Sequence, residues 1–353
     1  MPPHRGGRNP PGVAIARRRL RLSRTYAFPP HGYGGIERWL WATALGARAA
    51  GADVHLLGPA WRDDLGSGWE QHPVRLEDVE TGSTELKALR ESRYDLLIVG
   101  HEYPSLPAWR EAADALGCDV VTFQHSPVFR HDEAAFDGLN RRLYCYSRQM
   151  ADRYREHGPI QELAVHAGLD EREPASARGE GLVWVGRVDE DKSPHLAIRA
   201  AQILGRRIRM VGPVFDHEYV GRHQRLFSAD HVEWVGELGG SAKTRAFRDA
   251  EVFVYTYSRD YVEAGAAVFG EALRAGTPIA ALAWNEGTCV EAALCERTGT
   301  QVVLDPVVDD ETAAQALAQA IEEASELPHR RVQEVGLGRF DAKRHFETLA
   351  RTP

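Results

Sequence analysis

Residues 262–280 read Val262-Glu263-Ala264-Gly265-Ala266-Ala267-Val268-Phe269-Gly270-Glu271-Ala272-Leu273-Arg274-Ala275-Gly276-Thr277-Pro278-Ile279-Ala280. The apolar run Val252-Phe253-Val254-Tyr255 precedes them, so the segment reads as strand, loop, helix and next strand of a βαβ unit. A loop of small residues entering a helix presents backbone N–H groups without intrahelical partners and the positive end of the helix dipole. That combination suits phosphates and sugar hydroxyls. Glu263 and Glu271 bracket the loop with seven residues between them.

Outward from this unit the pattern repeats. Upstream, Leu182-Val183-Trp184-Val185 reads as a buried strand that runs into Gly186-Arg187 and, after four intervening residues, Lys192. Ser193 is placed as an N-cap and Pro194 as the first residue of a helix, so the two cations flank a helix start and form an anion site. Nearer the amino terminus, Leu20-Arg21-Leu22-Ser23 reads as a first strand, and Pro29 to Gly35 as a turn-rich loop ending in Gly34-Gly35. From Ile36 the apolar residues fall on one helical face, with Glu37 in the first turn. Asp53 to Leu57, Tyr94 to Val99 and Cys118 to Gln124 are further buried strands. The last two end near His101 and at His125. Strand–helix alternation throughout predicts an α/β protein with parallel sheets covered on both faces, whose ligands bind at the carboxyl ends of the strands.

Taken together, Gly34-Gly35, Thr122-Phe123-Gln124-His125, Arg187/Lys192 and Glu263-x7-Glu271 closed by Ala275-Gly276-Thr277-Pro278 resemble the signature of retaining GT-B glycosyltransferases of the family 4 type. The resemblance covers the chain from about residue 20 and implies two Rossmann-like doubly wound domains facing a central cleft. It implies a nucleoside-diphosphate sugar as co-substrate, with a UDP-sugar favoured over GDP, and no resident cofactor. Glu263, His125, Arg187 and Lys192 would then be catalytic. Gly34, Gly35, Arg187, Lys192, Gly265, Ala266 and Glu271 would hold the donor, with Glu271 on the ribose hydroxyls and Glu263 on those of the sugar. His101 is a weaker candidate than His125. The sequence departs from the resemblance after Glu263, where Ala264-Gly265-Ala266 stands in place of Pro-Phe-Gly.

The implied domains are a loose leader over 1–19, an acceptor domain over 20–170, a linker over 171–180, a donor domain over 181–335, and a helix over 336–353 that crosses back to the first domain. A length of 353 residues fits two cores, and 43% apolar with 27% charged residues describes an ordinary globular chain. No run has the apolar length needed to span a bilayer. A net charge of −8 argues against nucleic acid as a partner. Cys118, Cys145, Cys289 and Cys295 lack metal-ligand spacing, and no secretory leader is read, so free thiols in a cytoplasmic protein and no metal site are expected. Only four of the 43 basic residues are lysine, which singles out Lys192.

The leading expectation is transfer of a sugar to an acceptor hydroxyl with retention of configuration, by same-face attack or through a covalent intermediate. The acceptor is a small molecule, an oligosaccharide or a lipid-linked sugar, bound by loops 60–84 and 101–110, where Trp61, Trp69, Tyr103 and Trp109 offer stacking faces. The setting favoured is secondary-metabolite (antibiotic) biosynthesis, with envelope polysaccharide as the alternative. Other readings are a nucleotide-sugar epimerase, a phosphorylase, for which no pyridoxal-binding lysine is apparent, and a non-catalytic nucleotide-sugar-binding regulator. Nothing in the sequence sets the oligomeric state.

Overall fold

The structure, a computed structural model, describes residues 12–16, 34–57, 65, 68–72, 94–99, 117–125, 141–155, 160–162 and 178–351. Among these residues the first domain contains β1 (Gly12–Ala16), α1 (Gly35–Ala49), β2 (Asp53–Leu57), β3 (Glu70–His72), β4 (Leu96–Val99), β5 (Asp119–Phe123), β6 (Arg141–Cys145), α2 (Arg148–Arg153) and β7 (Ile160–Glu162). The second runs β8 (Leu182–Val185), α3 (Pro194–Ile203), β9 (Ile208–Val211), α4 (His217–Arg222), α5 (Gln224–Phe227), β10 (Val232–Gly236), α6 (Gly240–Arg248), β11 (Val252–Tyr255), α7 (Ala267–Ala275), β12 (Ile279–Ala283), α8 (Cys289–Ala293), β13 (Gly299–Val303), α9 (Asp310–Ser325), α10 (His329–Arg339) and α11 (Ala342–Ala350).

All strand pairings are parallel, and the two sheets are wound alike. The first has the order β3-β2-β1-β4-β5-β6-β7 and the second β10-β9-β8-β11-β12-β13. Each chain segment starts in the middle, winds to one edge, then returns to wind to the other. The reversal leaves a crevice at the carboxyl ends of the central strands. Strands β8, β11 and β12 are buried at every residue, which is why they read as continuous apolar runs rather than alternating ones.

Two boundaries differ from the sequence reading. Gly12-Val13-Ala14-Ile15-Ala16, inside the segment read as a loose leader, is an interior strand of the first sheet and pairs with both β2 and β4. Its apolar, partly β-branched pentapeptide is what makes it a strand. The flanking prolines and Arg17-Arg18-Arg19 masked that signal. The strand placed at residues 20–23 lies outside the described residues, as do residues 163–177 and so most of the linker. At the other end, residues 336–339 complete α10, which packs on α7, and the element that returns to the first domain is α11. There it packs along α1, and Trp39 donates from Nε1 to His345 Nε2 at 2.9 Å. Phe346 and Leu349 are buried on the same helix.

Candidate active site

The loop after β8 is fixed from both sides. Trp184 donates its indole N–H to Thr256 Oγ1 at 3.0 Å, Thr256 donates to the Lys192 carbonyl at 2.8 Å, and the Lys192 amide donates to Asp189 Oδ1 at 3.1 Å. Ser193 does occupy the N-cap of α3, but its side chain does not cap. It sits at φ 40° and its hydroxyl donates to the Glu190 carbonyl at 2.9 Å, closing the preceding turn instead. Pro194 begins the helix as read from the sequence. Arg187 is held by carboxylates of its own loop, Asp189 at 3.2 Å and Asp191 at 3.1 Å, and its guanidinium lies 5.6 Å from the Phe215 ring.

Lys192 also reaches the cleft, where its ammonium pairs with Glu263 and lies 5.0 Å from the Tyr261 ring. Glu263 is 5% exposed and also accepts from the Tyr255 hydroxyl. Burial pushes its carboxyl up, but the Lys192 ammonium and the hydrogen bonds from Lys192, Tyr255 and the Gly265 amide outweigh this and hold it below the usual range. The price of that arrangement falls on the neighbours: the Glu263 charge, followed by burial, raises the Tyr261 phenol to about 12.

Glu271 sits in α7 and faces two cations from elsewhere. Arg38 of α1, in the first domain, is at 2.9 Å, and Lys243 of α6 is at 2.5 Å. Burial raises its carboxyl, and the two cations more than offset that, taking it down to about 2. Neither Arg38 nor Lys243 was singled out from the sequence. The scarcity argument that marked Lys192 applies equally to Lys243, since both are among the four lysines. For Arg38 the only local signal is its place one turn after Gly34-Gly35.

Helix N-termini from both domains open onto the same space. Gly34 caps α1 with φ 154°, a conformation that other residues rarely adopt, and Ala266 caps α7. Neither supplies a side-chain acceptor, so the first-turn amides stay available to a ligand. Between the two glutamates, Gly265 lies against Tyr146 of the first domain; a Cβ there would sit 2.1 Å from the ring. With the Tyr146 ring in that place, position 265 has no room for an aromatic side chain. His125 packs in the same cluster, with its ring 4.8 Å from Trp39 and 5.6 Å from Tyr146.

Gly34, Gly35, His125, Arg187, Lys192, Glu263, Gly265, Ala266 and Glu271 thus line one cavity of about 410 Å³, together with Arg38, Lys243 and Phe215. All nine residues proposed from the sequence come together. His101, Trp61, Tyr103 and Trp109 lie outside the described residues. Trp69 is described, and it is not a free stacking face: it packs on Trp41 at 4.9 Å and under the Arg48 guanidinium at 4.8 Å.

Two similarly wound parallel sheets with a cleft at their carboxyl ends define a GT-B architecture. The family model "Glycosyl transferases group 1" matches residues 170–335, and "Glycosyltransferase Family 4" matches residues 33–170. The chain belongs to the group 1, family 4 type of GT-B glycosyltransferases. No curated protein sequence matches it significantly. Among solved structures it is similar to AviGT4, a glycosyltransferase involved in avilamycin A biosynthesis, at 21% identity over 96% of each chain with a TM-score of 0.70. It is also similar to the sucrose-phosphate synthase of Thermosynechococcus elongatus, at 17% identity over 96% of this chain and 98% of that one, TM-score 0.69. A third is Anabaena Alr3699/HepE in complex with UDP-glucose, at 14% identity over 96% and 97%, TM-score 0.65. Among the described residues no helix is long and apolar enough to cross a membrane.

Proposed function

We propose that the protein transfers a sugar from a UDP-sugar to an acceptor hydroxyl with retention of configuration, in the biosynthesis of a secondary metabolite, and acts in the cytoplasm. The observation that carries the reading is the convergence in one cleft of Arg187 and Lys192, two helix N-termini without side-chain caps, and two glutamates held ionised, of which Glu263 is buried. The similarity to AviGT4 supports the metabolic setting, and the similarity to a UDP-glucose complex supports the donor.

As the glycosidic bond breaks, negative charge grows on the departing diphosphate. On this reading Arg187, Lys192 and the first-turn amides of α1 and α7, which line the cavity, stabilise that charge, so cationic side chains supply what a metal ion supplies elsewhere. Lys192 bridges the two halves of the site, because its present partner is Glu263 and its next is the diphosphate. Glu263 then holds hydroxyls of the donor sugar and the charge that forms on its ring carbon. Glu271 uses one oxygen for Arg38 and the other for Lys243, which leaves two lone-pair positions for the ribose hydroxyls. His125, packed among aromatic rings at the cleft wall, reaches the sugar from the first domain's side.

The test is incubation of the full chain with a panel of UDP- and GDP-sugars and candidate acceptors, with mass-spectrometric detection of product and magnetic-resonance assignment of the new anomeric centre. Product with the donor's configuration, from a UDP-sugar and in the presence of EDTA, is the expected result. Absence of nucleoside diphosphate binding by calorimetry would remove the donor site, and an inverted product would remove the mechanism.

A further inference from the structure

At the edge of the first sheet, β2 and β3 run parallel with His55 opposite Glu70 and Leu57 opposite His72. Side chains alternate along a strand, so Asp53 and His55 of β2 and Glu70 and His72 of β3 stand on one face. His55 Nε2 lies 3.4 Å from Glu70 Oε2 and 3.6 Å from Asp53 Oδ2, and His72 Nε2 lies 3.1 Å from Glu70 Oε1. On its other side, His55 Nδ1 is 2.9 Å from the buried Tyr94 hydroxyl and 3.0 Å from His72 Nε2. One nitrogen from each histidine and one Glu70 oxygen fit within 4.8 Å of one another.

Among the described residues this is the one set of His, Cys, Asp or Glu side chains whose ligand atoms converge in this way. A neutral imidazole has one N–H and one lone pair. With the proton on His55 Nδ1 and donated to Tyr94, the Nε2 lone pair faces the Glu70 carboxylate and is open to a cation. Tyr94 is then the partner that fixes the tautomer of a ligating histidine. The spacing agrees, because a tetrahedral ion with ligands at 2.0–2.1 Å sets them about 3.3 Å apart. The Glu70 oxygens stand 3.4 Å from His55 Nε2 and 3.1 Å from His72 Nε2.

We infer that His55, Glu70 and His72 form a site for a divalent transition cation of the zinc class, which pins the three-residue edge strand β3 to β2. None of the three lines the cleft, so the ion serves the stability of the first domain and not the transfer chemistry. The sequence reading dismissed metal on cysteine spacing, whereas these ligands are histidines and a carboxylate drawn from two strands.

Calorimetric titration of the EDTA-stripped full chain with Zn²⁺ alone tests this. One equivalent should bind, and the melting temperature should rise with the metal. His72→Gln and Glu70→Gln should weaken binding by about tenfold or more and abolish the rise in melting temperature. Because both residues are at least partly exposed, these variants keep the test valid if the buried His55→Gln variant fails to fold. Co²⁺ bound by the wild type should show the visible absorption of a low-coordinate site, absent in His72→Gln. No zinc binding by the wild type, or equal binding by the wild type and both variants, would overturn the assignment and leave a hydrogen-bonded cluster only.

Discussion

Glu263 and Glu271 carry the same carboxylate, lie on one short segment and are both held ionised, yet they answer to different parts of the molecule. Glu263 is balanced within its own domain, by Lys192, Tyr255 and the Gly265 amide. Glu271 is balanced across the cleft, by Lys243 of its own domain and Arg38 of the other. The charge of the first is compensated wherever the domains stand. That of the second is fully compensated only while α1 faces α7. Under the proposed function, the loop glutamate would serve the chemistry, and the helix glutamate nucleotide binding coupled to domain approach.

The largest effect should follow Glu263→Gln, which keeps the side chain's volume and removes its charge. Turnover should fall on the order of 10²-fold, the size expected for one preorganised electrostatic contact. Nucleoside diphosphate affinity should stay level or tighten, because Lys192 is released toward the phosphates. Weaker nucleotide binding with unchanged turnover would reverse the assignment of the two glutamates.

Glu271→Gln should act on the other quantity. Loss of charged acceptors for the ribose should weaken both the free nucleotide and the whole donor by about tenfold or more, from contacts worth roughly 1.5–3 kcal/mol. Calorimetry with UDP reads this directly, and an unchanged dissociation constant would exclude Glu271 from the ribose site. The same variant carries a pH signature. Glu271 has its folded pKa lowered from 4.5 to about 2, so its stabilising effect is complete above pH about 4.5 and is lost as pH falls toward 2. Acid titration of melting temperature should therefore show the wild type and Glu271→Gln converging over that window and separated above it. A constant gap would mean that the ion pairs do not set that pKa.

How far these differences were legible follows from where their causes lie along the chain. The spacing of Glu263 and Glu271, the Arg187/Lys192 loop and the Gly34-Gly35 turn are local, because each needs only a strand followed by a loop and a helix start. Their convergence follows from two sheets wound in the same order. Arg38 and Lys243 were not legible as partners of Glu271, since their meeting depends on how α1, α6 and α7 pack. The contact of Gly265 with Tyr146 is likewise set by the domains facing each other. At Gly12–Ala16 composition outweighed pattern: prolines and arginines on either side concealed five residues that form an interior strand of a sheet.

The smallest effects should separate the two cations on Glu271. Arg38→Gln and Lys243→Gln each remove one ion pair to a carboxylate that keeps the other, so Glu271 stays partly compensated in both variants. Each variant should therefore raise the donor KM by about threefold to fivefold. Of the two cations only Arg38 comes from the other domain, so only Arg38→Gln should enlarge the radius of gyration measured by small-angle scattering on the ligand-free chain. Lys243→Gln, which breaks a contact inside one domain, should leave the scattering curve unchanged. If both variants change it equally, or neither does, the Arg38–Glu271 pair does not couple the domains, and the comparison between the two glutamates reduces to their contacts with the donor.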